Sequence, residues 1–198
     1  ESYAGEDILA MADFFRANDP GRKVHYEGCF HNPEYRKCSD VESRMYAKPA
    51  EIISYLTNEP DKPFISCEYM HTMGNSGGGM LLYHALEEKY ESYQGGFIWD
   101  YIDQAIQRED GSFAYGGDYD DRPTDYNFCG NGILYADRTL SPKVAEVKYL
   151  YQNVRLEVSE EGITLYNQNL FTSLEEESMR ILVLKDGIEI SQEEIRNV

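Results

Sequence analysis

The chain has 198 residues, 41% hydrophobic and 27% charged, enough for one domain or two small ones, and no apolar run approaches the roughly 18 residues a membrane span needs. Thirty-six acidic against eighteen basic residues give a formal charge of −18, which argues against nucleic acid as a partner, because a phosphate-binding surface must be rich in Lys and Arg. The acidity reads as a solvated, self-repelling surface.

Glu6 to Asn18 carries Ile8, Leu9, Ala12 and Phe15 at helical spacing, and Asp19-Pro20-Gly21 stops that helix. Val24-His25-Tyr26 is a short β-prone run, and Cys29 to Ser43 is polar and without period, which predicts a strand followed by a long loop. After Met45-Tyr46-Ala47, Pro49 opens a short helix with Ile52, Ile53 and Leu56 on one side. Pro63 to Cys67 is an apolar run of buried-strand type, and Met80 to Tyr93 is helical again, with Leu81, Leu82, Ala85 and Leu86 as its apolar side. Gly96-Phe97-Ile98-Trp99 supplies the next strand, so helices and strands alternate as in a parallel α/β sheet or barrel.

Residues 108 to 142 are dense in Gly, Asp and Pro and read as a functional loop. Lys143 to Gln152 reads as a last helix. From Val154 onward the pattern becomes β: Val154 to Val158 and Gly162 to Tyr166 alternate, Met179 to Leu184 is a third strand, and Asp186-Gly187 signals a hairpin. The expected division is 1–150 for an α/β domain and 151–198 for the start of a β-sandwich. The chain opens on Glu1-Ser2 without an initiator Met and without a signal peptide, so the sequence reads as beginning inside a longer protein.

Cys29, Cys38, Cys67 and Cys129 show no CxxC pair and no zinc-type spacing with the four histidines. Free, buried thiols suited to a reducing cytoplasm are expected. Asp118, Asp120, Asp121 and Asp125 lack the Gly and terminal Glu of a calcium loop and read as solvated. Asp100 and Asp103 flank Tyr101 just past a strand; loop hydrogen bonding is expected of them rather than a second acid pair.

Glu68 follows the buried strand and precedes a His and a Gly/Asn/Ser turn, and in an α/β barrel the active site lies at the C-terminal ends of the strands. A Glu in such a place is more often a solvated group. Taken singly, Trp99 at a strand end is more often core than sugar platform, Asn131 between two glycines is also a turn residue, His71 is also a satisfied polar residue, and Tyr46 also packs under a loop.

Cys67-Glu68-Tyr69-Met70-His71-Thr72-Met73-Gly74-Asn75-Ser76, then Gln94 to Gln104 (QGGFIWDYIDQ), Phe128-Cys129-Gly130-Asn131-Gly132 and Ala136-Asp137-Arg138 together resemble the LacZ-type β-galactosidases of glycoside hydrolase family 2. The likeness covers essentially the whole chain. It implies the fold, the C-terminal half of a (β/α)8 TIM barrel followed by the first strands of a β-sandwich, and a retaining β-galactosidase acting on terminal galactosides such as lactose. It implies Glu68 as nucleophile, Tyr46 as its hydrogen-bonding tyrosine, and His71, Trp99 and Asn131 as galactose contacts. Glu1 falls at the acid/base position, which also ligates Mg2+, although the Gly-Asn expected before it is absent. The Phe128 carbonyl and the Asn131 side chain match ligands of a structural Na+.

Within the same family, β-glucuronidase and β-mannosidase are rival activities. They lack the match at Met73 to Ser76 and at Phe128 to Gly132. A further alternative is a non-catalytic piece of the parent chain whose open strand edges invite homo-oligomers and which binds sugar only weakly.

Overall fold

Three short strands, β1 (Glu42–Met45), β2 (Phe64–Tyr69) and β3 (Tyr93–Ile98), form a parallel sheet in chain order in this computed structural model, which describes residues 3–196. Helices α2 (Pro49–Leu56) and α3 (Leu81–Lys89) are the crossovers a parallel sheet requires. Pro49 sits in the first turn of α2, and Glu51 Oε2 accepts from Lys48 N at 2.7 Å, satisfying one of the donors a helix start leaves free. Ile52, Leu56, Phe64, Leu86 and Tyr93 bury together between these helices and the sheet. At Gly96 a methyl group would stand 2.8 Å from Ser66 Cβ and 3.0 Å from Ser66 O, so β2 and β3 approach closely only because the side chain is absent.

The register brings the C-terminal ends of the strands level. Met45 pairs with Glu68 and Tyr69 with Ile98, and the pairing continues past the strands as Tyr46 N donates to Glu68 O at 2.8 Å and Trp99 N to Tyr69 O at 3.0 Å. Residues 131–134 then run beside 100–103, tied by Asp100 N to Asn131 O (2.9 Å), Ile133 N to Asp100 O (2.9 Å) and Leu134 N to Tyr101 O (3.1 Å). No closed barrel is present among the described residues; the fold is an open α/β sheet.

Several elements differ from the sequence expectation. Val24 to Tyr26 joins no strand; two of its amides are taken by side chains, Val24 N by Asp40 Oδ2 (2.8 Å) and Tyr26 N by Ser39 Oγ (3.1 Å), while Val24 O accepts from Asp40 N (2.8 Å). The strand lies instead at Glu42–Met45, where polarity hid it: buried Glu42 is neutralised by Arg44 at 2.9 Å and Arg36 at 3.5 Å. Between them run short 3-10 turns at Glu27–Phe30 and Pro33–Cys38. Helix α3 stops at Lys89 because Tyr93 already belongs to β3, and Met80 and Leu86 are its buried contacts, whereas Leu81 and Leu82 are exposed. The opening helix α1 (Glu6–Asn18) buries Ala12 and packs Ile8 and Leu9, and leaves Phe15 exposed. Inside the long loop, β4 (Ile106–Gln107) and β5 (Phe113–Ala114) form a small antiparallel pair, and α4 spans Val144–Leu150.

The chain divides into two compact units, Glu1–Leu150 and Tyr151–Val198. The second consists of two antiparallel hairpins, β6 (Val154–Ser159) with β7 (Gly162–Asn167) and β8 (Ser178–Lys185) with β9 (Ile188–Arg196). Asp186 and Gly187 take φ 53° and 79°, the left-handed pair a two-residue turn needs to match strand twist. Among the described residues no helix is long and apolar enough to cross a membrane.

Candidate active site

Glu68 is the penultimate residue of β2, one step inside the strand rather than beyond it. Its backbone carbonyl accepts from Tyr46 N and its Oε2 accepts from the Tyr46 hydroxyl at 2.8 Å. Tyr46 and Met70, the first residues past β1 and β2, have φ of 54° and 55°. Left-handed backbone at bulky residues costs about 1–3 kcal/mol and persists where surrounding bonds over-determine it. Here the turn at Tyr46 accompanies the reach of its hydroxyl to Glu68 Oε2.

A cavity of about 780 Å³ opens at this end of the sheet, lined by Tyr46, Glu68, His71, Trp99, Phe128 and Asn131 among others. It therefore gathers every site residue read from the sequence except Glu1, which lies outside the described residues. The His71 ring stands between Tyr46 and Phe128, with centroids 5.8 Å from each. Ser76 Oγ closes the turn after it, standing 2.5 Å from Met73 O and 2.7 Å from His71 O. Trp99 follows β3 directly.

Asn131 is 3% exposed, so it is not a surface turn residue. Its Nδ2 donates to Phe128 O at 2.9 Å, while its Oδ1 is buried with no hydrogen-bond partner. A buried carbonyl oxygen without a donor is the kind of ligand a hard cation such as sodium takes, and turning the Asn131 carboxamide over would set Oδ1 rather than Nδ2 against Phe128 O. Gly132 next to it tolerates no side chain: a Cβ would collide with the backbone of Ile102, Asp103 and Leu134. Among the described residues no group of three or more His, Cys, Asp or Glu could share one metal ion.

Asp100 and Asp103 serve the loops. Asp100 Oδ1 accepts from Tyr101 N at 2.5 Å and its Oδ2 accepts from Gln104, and Asp103 Oδ1 accepts from Gly132 N at 2.8 Å. Asp118 bonds Tyr115 N and Arg108, and Asp121 bonds the amides of Gly117 and Tyr119. All four cysteines are free. Met45, Gln104, Thr124, Asp125 and Tyr126 also line the cavity; the loop composition pointed to the segment and not to these side chains.

The family described as glycosyl hydrolases family 2, TIM barrel domain, matches residues 1–156. The chain belongs to glycosyl hydrolase family 2. Similar curated proteins are a β-galactosidase of Halalkalibacterium halodurans, 58% identical over 96% of this chain and 19% of that one, and one of Clostridium acetobutylicum, 60% identical over 94% and 21%. A β-galactosidase of Streptococcus thermophilus is 52% identical over 98% of this chain and 21% of its own. This family 2 chain thus spans about a fifth of the length of the curated relatives it matches.

Proposed function

We propose that this family 2 chain is part of a retaining β-galactosidase, contributing the C-terminal half of its (β/α)8 barrel and the opening strands of the following β-sandwich, and that Glu68 is the nucleophile. The observation that supports this most is the doubly bonded pair of Tyr46 and Glu68 at the strand ends, inside a cavity walled by His71, Trp99, Phe128 and Asn131. The names of the relatives favour galactosides over the glucuronides and mannosides of other family 2 enzymes, and lactose is the galactoside proposed.

In double displacement the Glu68 carboxylate attacks the anomeric carbon while a second carboxyl protonates the departing oxygen; the second carboxyl then takes a proton from water, which releases the sugar with retention. Glu1 is our assignment for that second group. The Tyr46 hydroxyl holds Oε2 and leaves Oε1 to attack. Trp99 offers an aromatic face to the sugar ring, and His71 and Asn131 offer polar atoms to its hydroxyls.

Sodium would take the Phe128 carbonyl and Asn131 Oδ1 as ligands once the carboxamide, whose Nδ2 now donates to Phe128 O, turns over, and when bound it would supply a fixed positive centre for sugar oxygens. Magnesium enters the proposal only through Glu1. The remaining partners proposed are the rest of the parent chain and further copies of it, in the cytoplasm.

The test is covalent trapping. A 2-fluoro galactoside with an activated leaving group, given to the full-length polypeptide that carries this segment, is expected to label Glu68. Labelling at Asp100, Asp103 or Asp125 instead would overturn the assignment.

A further inference from the structure

Two polar residues outside the cavity lining hold together the three segments that line it. Thr72 is 1% exposed, yet its backbone and side chain touch two other segments. Its N–H donates to Trp99 O at 2.8 Å, and its Oγ1 donates to Asn131 O at 2.5 Å. Trp99 O stands 3.4 Å from the same hydroxyl, and Asp100 N donates to it at 3.4 Å. A hydroxyl has a single proton, and the shorter geometry assigns it to Asn131 O. Lys143 then reaches in from the start of α4 and donates through Nζ to Thr72 O and, at 3.4 Å, to Gly132 O.

We propose that Thr72 and Lys143 form a brace that sets Asn131 and Trp99 for sugar binding. They are positioning residues, since neither lines the cavity. The inference rests on the galactosidase reading for its functional meaning. Its physical basis is independent of that reading: Asn131 has a buried side chain with one satisfied amide end and one orphaned oxygen, so its own contacts fix it weakly and its backbone must be held. Asp100 N supplies one bond to Asn131 O, and the Thr72 hydroxyl supplies the second. Removing that hydroxyl without changing the side chain's shape frees the Asn131 peptide to tilt, and the carboxamide tilts with it. Lys143 acts one step back, pinning the carbonyls on either side of the bond that Thr72 makes.

The variants are T72V, T72S and K143M in the full-length polypeptide, assayed with 2-nitrophenyl β-galactoside and with free galactose as competitor. T72V is expected to raise KM about tenfold and weaken galactose inhibition by a similar factor, with kcat changed less, because the bond organises ground-state and transition-state binding alike. T72S, which keeps the hydroxyl, restores both to near the wild-type values. K143M moves the same two quantities in the same direction and carries the test if T72V does not fold. The double variant falls short of the product of the singles, since both act on one network. Wild-type KM and galactose inhibition in T72V, or T72S as impaired as T72V, overturns the brace. If the wild type does not turn over galactosides, the galactosidase reading fails, and crystal structures of wild type and T72V decide the brace: a displaced Asn131 carboxamide supports it and an unmoved one overturns it.

Discussion

Tyr46 and Glu68 are bonded twice, backbone to backbone and side chain to side chain, both at 2.8 Å. The first bond is a strand-end extension of the β1–β2 register, and it places the tyrosine at the height of the carboxylate. The second joins a phenol to a carboxyl group. A hydrogen bond to a charged group contributes about 1.5–3 kcal/mol, and under the proposed assignment of Glu68 as nucleophile it leaves Oε1 as the oxygen that attacks.

Tyr46→Phe in the full-length polypeptide is therefore expected to lower kcat by roughly tenfold to a hundredfold, with KM changed less and the fold retained, because the ring remains and only the hydroxyl is lost. Pre-steady-state kinetics should place the loss in formation or breakdown of the glycosyl-enzyme. An unchanged kcat would mean that the observed bond does not orient the nucleophile.

Asn131→Ala removes the orphaned Oδ1 together with the amide that bonds Phe128 O. More sodium should then be needed for half-maximal activity, and galactose should bind less tightly, with a smaller loss in thermal stability. A sodium titration of mutant and wild type checks this; superimposable curves would remove Asn131 from the proposed sodium ligands.

The sequence was readable where apolar spacing was strong and where the motif was long. Phe64 to Cys67 and the hairpin at Asp186-Gly187 fall where their patterns say, and Tyr46, His71, Trp99, Phe128 and Asn131 meet Glu68 in one cavity. Strand β1 was not readable because its inward residue, Glu42, is buried as an ion pair and leaves no apolar trace. Val24 to Tyr26 misled for the opposite reason: β-branched and aromatic residues suggest a strand, but Asp40 and Ser39 side chains take their amides before a neighbouring strand can. The bracing by Lys143 had no signal at all, since its partners are backbone carbonyls 71 and 11 residues away.

Cys29 shares a buried cluster with Cys38, and its thiol is pushed up to about 11, chiefly by burial and then by the neighbouring Cys38. Burial disfavours the thiolate, which is the reactive form. At pH 8 about a thousandth of Cys29 is thiolate, by the three-unit gap, and that share grows tenfold per pH unit toward 11. Iodoacetamide at pH 8 should modify Cys129, at the cavity wall, well before Cys29. The linkage has the same sign: the proton held by Cys29 stabilises the fold below its usual value of 9.0, and that stability is lost as pH rises toward about 11. Mass spectrometry of timed alkylation checks the order, and equal rates for Cys29 and Cys129 would contradict the burial.

The 198-residue chain by itself is expected to show no β-galactosidase activity. Retaining hydrolysis needs two carboxyl groups about 5–5.5 Å apart. Of the residues described around the cavity, the acids are Glu68 and Asp125, and neither is assigned the acid's role. Barrel active sites are ringed by loops from eight strands, whereas β1, β2, β3 and the segment at 131–134 supply one arc of such a ring. Under the proposed function, the contacts that grip the transition state from the other side come from the remainder of the parent chain, and without them proton transfer and transition-state binding fall together. The chain, purified free of host enzyme, should be assayed with an activated aryl galactoside in sodium and magnesium. Turnover that Glu68→Gln abolishes would show that this arc completes its own site, through a second copy or otherwise, and the dependence on the rest of the parent would be wrong.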